Sequence, residues 1–146
     1  KYESIKLIFI RHHILPTEVG EDDFFNSRDT GGTMVAPALE MVNNIIDERF
    51  GDEWNIYVAQ CSDGDVWGMQ DARDCVDIIS KKLMPKIQYF AYVEICRFTN
   101  ENSELWQFYQ QLSLDYRNFA MQQVFDESEI WEVFKQLFKP KKVHTK

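Results

Sequence analysis

Two short polar segments carry side chains that could bind a hard cation. In the first, residues 29–39, Thr33 follows Gly31 and Gly32 at the start of a predicted helix. The second, residues 62–65, follows an apolar run and places two aspartates on a loop. A threonine hydroxyl and an aspartate carboxylate are oxygen ligands of the kind that Mg²⁺ takes. The alternative is a helix cap and an acidic turn that never meet.

Two adjacent histidines, His12 and His13, stand at the end of the first apolar run. Neighbouring residues of a strand point to opposite faces, so a regular strand cannot direct both at one metal ion. We expect one of them to pack or hydrogen-bond near the cation site. A zinc site that combines a histidine with Glu18 or Glu21 is the alternative.

Other common catalytic motifs are missing from the sequence. It has no G-x-S-x-G nucleophile elbow and no G-x-x-x-x-G-K-[ST] phosphate loop. The helix that follows Gly31 and Gly32 could hold a phosphate through its backbone amides, but the lysine of a phosphate loop is missing. Serine nucleophiles and nucleotide hydrolysis are therefore poorly supported.

The composition of the chain limits the classes of partner and the cellular compartment that we expect for it. The net charge of −8 disfavours nucleic-acid binding, which depends on neutralising phosphates. No apolar run reaches the roughly 18 residues that a membrane helix needs. The three cysteines are odd in number and form no C-x-x-C pair, so a disulfide framework is not expected and a reducing cytoplasm fits best.

Apolar strand-like runs alternate with amphipathic helical runs along the chain. This order predicts an α/β sandwich with a mostly parallel sheet, in one domain over residues 1–146 with a basic, flexible tail at 139–146. The runs at residues 5–10, 54–61 and 87–95 are expected to be parallel strands. A short strand is predicted at 119–124 and an edge strand at 17–19, with helices at 34–50, 71–84, 103–116 and after Asp126.

Several ordered motifs resemble the YeaH/YhbH family of uncharacterised bacterial proteins. The resemblance covers nearly the whole chain, and the chain looks like the C-terminal part of a longer protein. The motifs that carry it lie at residues 9–13, 24–25, 30–33, 54–57, 60–65 and 119–122.

That region of the family is similar to von Willebrand factor A domains, which carry a metal-ion-dependent adhesion site (MIDAS) built from three loops. Thr33 matches the threonine of the second loop, and Asp63 matches the aspartate of the third. The D-x-S-x-S motif of the first loop is missing; the nearest run, at residues 126–130, has the wrong residues and lies at the wrong end. The resemblance therefore implies that the first strand and its loop lie upstream. The expected site-lining residues are Ser62, Gly64, Asp65, Gly32, His12 and His13.

The resemblance implies a Mg²⁺-dependent module that binds an acidic residue of a partner protein. It also implies a role in bacterial stress signalling beside a serine protein kinase. With two protein ligands, this chain alone should not bind Mg²⁺ tightly. The alternative is a metal-dependent hydrolase or phosphotransferase that uses the same carboxylates, with the histidine pair as its base. Without the first strand, we expect the run at 5–10 to pair directly with the run at 54–61.

Overall fold

A computed structural model describes residues 4–27, 33–97 and 102–138. The basic tail lies outside the described residues. The elements, in chain order, are β1 (Phe9–His12), β2 (Pro16–Val19), α1 (Glu21–Asn26), α2 (Ala36–Ile45), β3 (Tyr57–Ser62), α3 (Gly68–Ile78), β4 (Tyr89–Ile95), α4 (Glu104–Asp115), β5 (Phe119–Val124) and α5 (Ile130–Leu137). Residues 46–50 continue α2, and residues 79–83 continue α3, as wider, π-helical turns.

Three strands form a parallel sheet in the order β3-β4-β5. Tyr57 lies beside Tyr89, and the register continues to Ser62 beside Glu94. β5 pairs with the other edge of β4, also in parallel. The predicted α/β class and the parallel pairing of the runs at 54–61 and 87–95 are thus confirmed.

The first apolar run does not behave as predicted. Only its end forms a strand, β1, which pairs antiparallel with β2 in a separate two-stranded sheet. Ile5 and Leu7 are 76% and 69% exposed. The prediction that this run pairs directly with β3 is therefore wrong. A three-residue connection leads from β1 into β2, and a connection this short favours an antiparallel hairpin.

Helices cover both faces of the parallel sheet. Alternate residues of β4 point to opposite faces, so Phe90 and Tyr92 face one way and Ala91 the other. Phe90 and Tyr92 belong to the larger core, which α2, α3 and α4 cover. Ala91 packs against Val133 and Leu137 of α5.

The α5 face of the sheet is incompletely covered beside β3. Tyr57 is 54% exposed, and Cys61 is also exposed. The Phe138 ring lies 5.9 Å from that of Tyr89, the strand neighbour of Tyr57. Phe138 also stacks on Phe134, and both rings are about half exposed. An aromatic strip thus runs from α5 to the edge of β3 that no described strand pairs with.

No helix in the described parts of the chain is both long enough and apolar enough to cross a membrane.

Candidate functional site

The loop after β3 places two carboxylates around a buried glycine. Asp63 and Asp65 are exposed, whereas Gly64 is buried. Asp63 Oδ1 accepts a hydrogen bond from the Asp65 amide at 3.2 Å, the geometry of an Asx turn. The Gly64 amide donates to Ser62 Oγ at 3.1 Å. Asp63 Oδ2 has no hydrogen-bond partner among the described residues, so the loop presents an oxygen that a ligand could use.

A chain of hydrogen bonds connects this loop to a buried carboxylate. Ser62 Oγ lies 3.0 Å from the Tyr92 hydroxyl, which donates to Glu94 Oε2 at 2.7 Å. Because that proton is committed to Glu94, Tyr92 accepts the proton of Ser62. Ser103 Oγ, at the N-cap of α4, donates to the same carboxylate oxygen at 2.6 Å. Glu94 is 1% exposed, and these donors compensate its burial.

Gly64 lies directly on this buried network. A Cβ atom added to Gly64 would lie 2.4 Å from Ser103 Cβ and 2.7 Å from Glu94 Oε2. Gly64 also has a φ of +85°, which favours glycine. The Asp63 loop is therefore fixed by its backbone conformation and by contact with β4 and α4.

The remaining groups around Glu94 are neutral donors. Gln123 Nε2 lies 3.3 Å from Glu94 Oε1, and Cys96 Sγ lies 3.7 Å from the same oxygen. Burial raises the pKa of Cys96 to about 11, with a further contribution from the nearby Glu94 charge. Burial also raises the pKa of Tyr92. Both groups therefore keep their protons at neutral pH.

A second buried carboxylate, Asp71, connects the segment after Thr33 to the loop after β3. Asp71 is 6% exposed and accepts hydrogen bonds from the Val35 and Ala36 amides, both at 2.9 Å. These amides belong to the first turn of α2, so Asp71 caps a helix more than 30 residues away in sequence. It also accepts from the Trp67 amide at 3.2 Å.

The two histidines lie where β1 approaches this edge. The Met34 amide donates to the His13 carbonyl at 3.0 Å, which places Thr33 beside the end of β1. Burial lowers the pKa of His12, and the neighbouring backbone of Cys61 in β3 and the charges of Asp63 and Asp71 oppose the shift. No partner for His12 Nδ1 is found in the described segments.

Thr33 thus lies beside the carboxyl end of β1 and Asp63 directly follows β3, and Asp71 connects the segments that come after them. Gly32 falls outside the described residues. No group of three or more His, Cys, Asp or Glu residues that could hold a metal occurs in residues 4–27, 33–97 and 102–138. Of the two carboxylates named for the alternative zinc site, Glu18 pairs with Arg49 at 2.7 Å, and Glu21 lies in the first turn of α1.

The family described as "Protein of unknown function (DUF444)" matches residues 1–141. The chain belongs to the DUF444 family. The UPF0229 protein of Legionella pneumophila (strain Corby) is 49% identical over 143 residues, 97% of this chain and 33% of that protein. The UPF0229 proteins of Psychromonas ingrahamii and Teredinibacter turnerae are each 47% identical, over 94% of this chain and 32% of their own length.

The DUF444 chain spans about a third of the length of the curated relatives that it matches. No solved structure matches it. The predicted membership of an uncharacterised bacterial family is thus confirmed, and the likeness to von Willebrand factor A domains stays a prediction.

Sequence reasoning overlooked the roles of Asp71 and Glu94, although their positions carried a signal. In α3, Asp71 precedes the buried Cys75 and Ile78 by four and seven residues, the spacing of one helix face. In β4, Glu94 follows Phe90 and Tyr92 at alternate positions, which places it on the buried face. A carboxylate at such positions indicates a buried hydrogen-bond network.

Proposed function

We propose that this DUF444 segment is part of a metal-dependent protein-interaction module. In this proposal, Thr33 and Asp63 each supply one oxygen ligand to a Mg²⁺ ion, and an acidic residue of a partner protein supplies another. The supporting observation is the hydrogen bonding of Asp71 to the amides of Val35 and Ala36, which holds the start of α2 against the segment after the Asp63 loop.

The oxygen atoms available as ligands suit a hard cation. Thr33 and Asp63 offer oxygen atoms, which Mg²⁺ prefers, and Asp63 Oδ2 is not used by the described hydrogen bonds. Mg²⁺ demands near-octahedral coordination and keeps water when few protein ligands are present. The full ligand set must therefore include water, the partner and other parts of the protein, and this chain alone binds Mg²⁺ weakly.

The open strand edges support a further part of the proposal. Each of β1 and β3 has one edge that no strand of the described residues pairs with, and they belong to separate sheets. We propose that another segment of the full-length protein adds a strand between them and contributes the D-x-S-x-S loop. A helix that follows this strand would cover Tyr57, Phe134 and Phe138. An unprotected edge otherwise tends to recruit other strands.

The proposed biological setting comes from the family resemblance. The partner is a protein that presents an acidic side chain, in a bacterial stress-signalling pathway with a serine protein kinase. The carboxylate of such a partner would complete the shell of the cation, so binding should require the metal.

One observation favours a second candidate, a metal-dependent hydrolase or phosphotransferase. His12 lies near Asp63, and its lowered pKa leaves the imidazole neutral at pH 7. A neutral imidazole can accept a proton, as a general base must. Hydrolysis of generic phosphoesters or peptides by a full-length DUF444 protein, lost in both Asp63→Ala and His12→Gln, would establish the enzyme and displace the binding module.

Thermal unfolding of a full-length DUF444 protein tests the metal proposal. A ligand that binds only the folded state raises the midpoint of unfolding. We expect Mg²⁺ to raise the midpoint relative to a chelator in the wild type, but not in Asp63→Asn or Thr33→Val. Asp65→Asn serves as the control, because it removes a neighbouring charge without removing a proposed ligand. A Mg²⁺ effect that survives both ligand substitutions would refute the proposal.

A further inference from the structure

We infer that the groove between α2 and α3 binds a cationic, amphipathic segment of a partner polypeptide. The groove has a volume of about 1110 Å³ and is bounded by α2, α3 and two residues of β2, Pro16 and Glu18. It is open to solvent, whereas a small-molecule site buries most of the surface of its ligand. This openness suits a polypeptide segment better than a small molecule.

The lining of the groove contains a row of apolar side chains from both helices. Pro37, Met41 and Ile45 follow one another at every fourth position of α2, so they lie on the same side of that helix. Methionine side chains adapt to irregular partners and are common at surfaces that bind amphipathic helices. The described apolar lining residues are Pro16, Met34, Ala36, Pro37, Met41, Ile45, Trp67 and Ile78.

The charges of the residues that line the groove indicate that its occupant is positively charged. Among the described residues that line the groove, only Lys81 and Lys82 are basic, and each already pairs with a carboxylate of the groove, Asp77 and Glu40 respectively. The acidic lining residues are Glu18, Glu40, Glu48, Asp71, Asp74 and Asp77, an excess of four carboxylates over lysines.

Among the described lining residues, two carboxylates remain available to a ligand after the internal contacts are counted. Asp71 is occupied by backbone amides, and Glu18 pairs with Arg49. Asp74 on α3 accepts only a neutral hydrogen bond, from Gln70 at 2.8 Å, and Glu48 lies on the α2 side. Both are exposed. They place negative charge on both walls of an apolar floor, which complements a helix with an apolar face flanked by lysine or arginine.

The test uses a labelled peptide of about four helical turns, with leucines on one face and lysines elsewhere. Its binding to a full-length DUF444 protein that contains this segment is measured by fluorescence anisotropy. We expect saturable binding that weakens with added salt, and no binding of the same peptide with glutamate in place of lysine. Failure of the lysine peptide to bind, or equal binding of the glutamate peptide, would overturn the inference.

Charge-reversal variants separate the groove from general attraction to an acidic protein. Asp74→Lys combined with Glu48→Lys should weaken binding at least tenfold. The matched control is Asp52→Lys combined with Glu53→Lys, which makes the same change in net charge at exposed positions outside the groove. Equal weakening by both pairs would overturn the inference.

Two further variants test the apolar floor and the independence of the groove. Met41→Gln keeps the charge but removes an apolar contact, so it should weaken the peptide several-fold. Asp63→Asn should leave peptide binding unchanged, and a loss there would assign the binding to the proposed metal site instead. Self-association of the chain that the Asp74 and Glu48 reversals abolish would make a second copy the occupant and overturn the inference.

Discussion

Replacing Gly64 by alanine tests whether the Asp63 loop is packed against the buried network. The added Cβ would lie 2.4 Å from Ser103 Cβ, a distance that real Cβ contacts essentially never show. Ser103 Cβ is attached to the backbone and cannot rotate away, so the loop or the start of α4 must move. Gly68 is the matched control, because its φ of +83° is almost that of Gly64 and nothing lies within 4 Å of its added Cβ.

The two substitutions share one cost and differ in another. A left-handed conformation costs a residue with a Cβ roughly 1–2 kcal/mol, and this applies to both Gly64→Ala and Gly68→Ala. Overpacking adds about 1–3 kcal/mol, and only at Gly64. We therefore expect the free energy of unfolding to fall by about 2–5 kcal/mol in Gly64→Ala and by about 1–2 kcal/mol in Gly68→Ala.

Urea unfolding, followed by circular dichroism and tryptophan fluorescence, measures the difference. If both probes report the same transition, a two-state free energy of unfolding can be used. If the free energy falls with urea concentration at the same slope in both variants, their stabilities can be compared directly. If the two variants lose the same stability, within about 0.5 kcal/mol, the contact of the Asp63 loop with Ser103 and Glu94 is refuted.

Three other predictions concern single side chains. Asp71→Asn should lower the free energy of unfolding by about 2 kcal/mol, because one of its two acceptor oxygens becomes a donor that faces backbone amides. Asp74→Asn is the control and should change the free energy by less than about 0.5 kcal/mol. Urea unfolding of both variants measures the two values. The lowered pKa of His12 means that the unfolded state gains its proton first as the pH falls, so stability should decline below about pH 6.5, and His12→Gln should flatten that decline in a pH series. The pKa of Cys96 is raised to about 11 from 9.0, so the protonated thiol contributes fully to the stability of the fold below pH 9, and this contribution is lost as the pH rises towards 11. A Cys96→Ser variant that loses the same stability between pH 9 and pH 11 would contradict this.

The parallel sheet could be predicted because its strands are short apolar runs separated by amphipathic helices. The β5 prediction, residues 119–124, matches the structure at both ends. The prediction of a buried strand at 5–10 was wrong because β-branched, apolar composition alone does not distinguish a buried strand from an exposed one. Ile5 and Leu7 are exposed, and the pairing of β1 was decided by its nearby partner β2.

The candidate site was only partly predictable. The strand-end positions of Asp63 and His12 followed from the apolar runs that precede them, although His12 ends a strand of the antiparallel hairpin and only Asp63 follows a strand of the parallel sheet. The role of Asp71 depends on the amides of Val35 and Ala36, which only the packing of α2 against α3 brings near it. Spacing could indicate that Asp71 is buried, but not which donors it meets.

Titration calorimetry with Mg²⁺ tests the central claim most directly, namely that Thr33 and Asp63 supply part of a cation site completed by other segments. We expect a full-length DUF444 protein to bind Mg²⁺, Thr33→Val and Asp63→Asn each to weaken binding at least tenfold, and the 146-residue chain to bind weakly. Full-length binding that neither substitution changes, or equally tight binding by the 146-residue chain, would contradict the account.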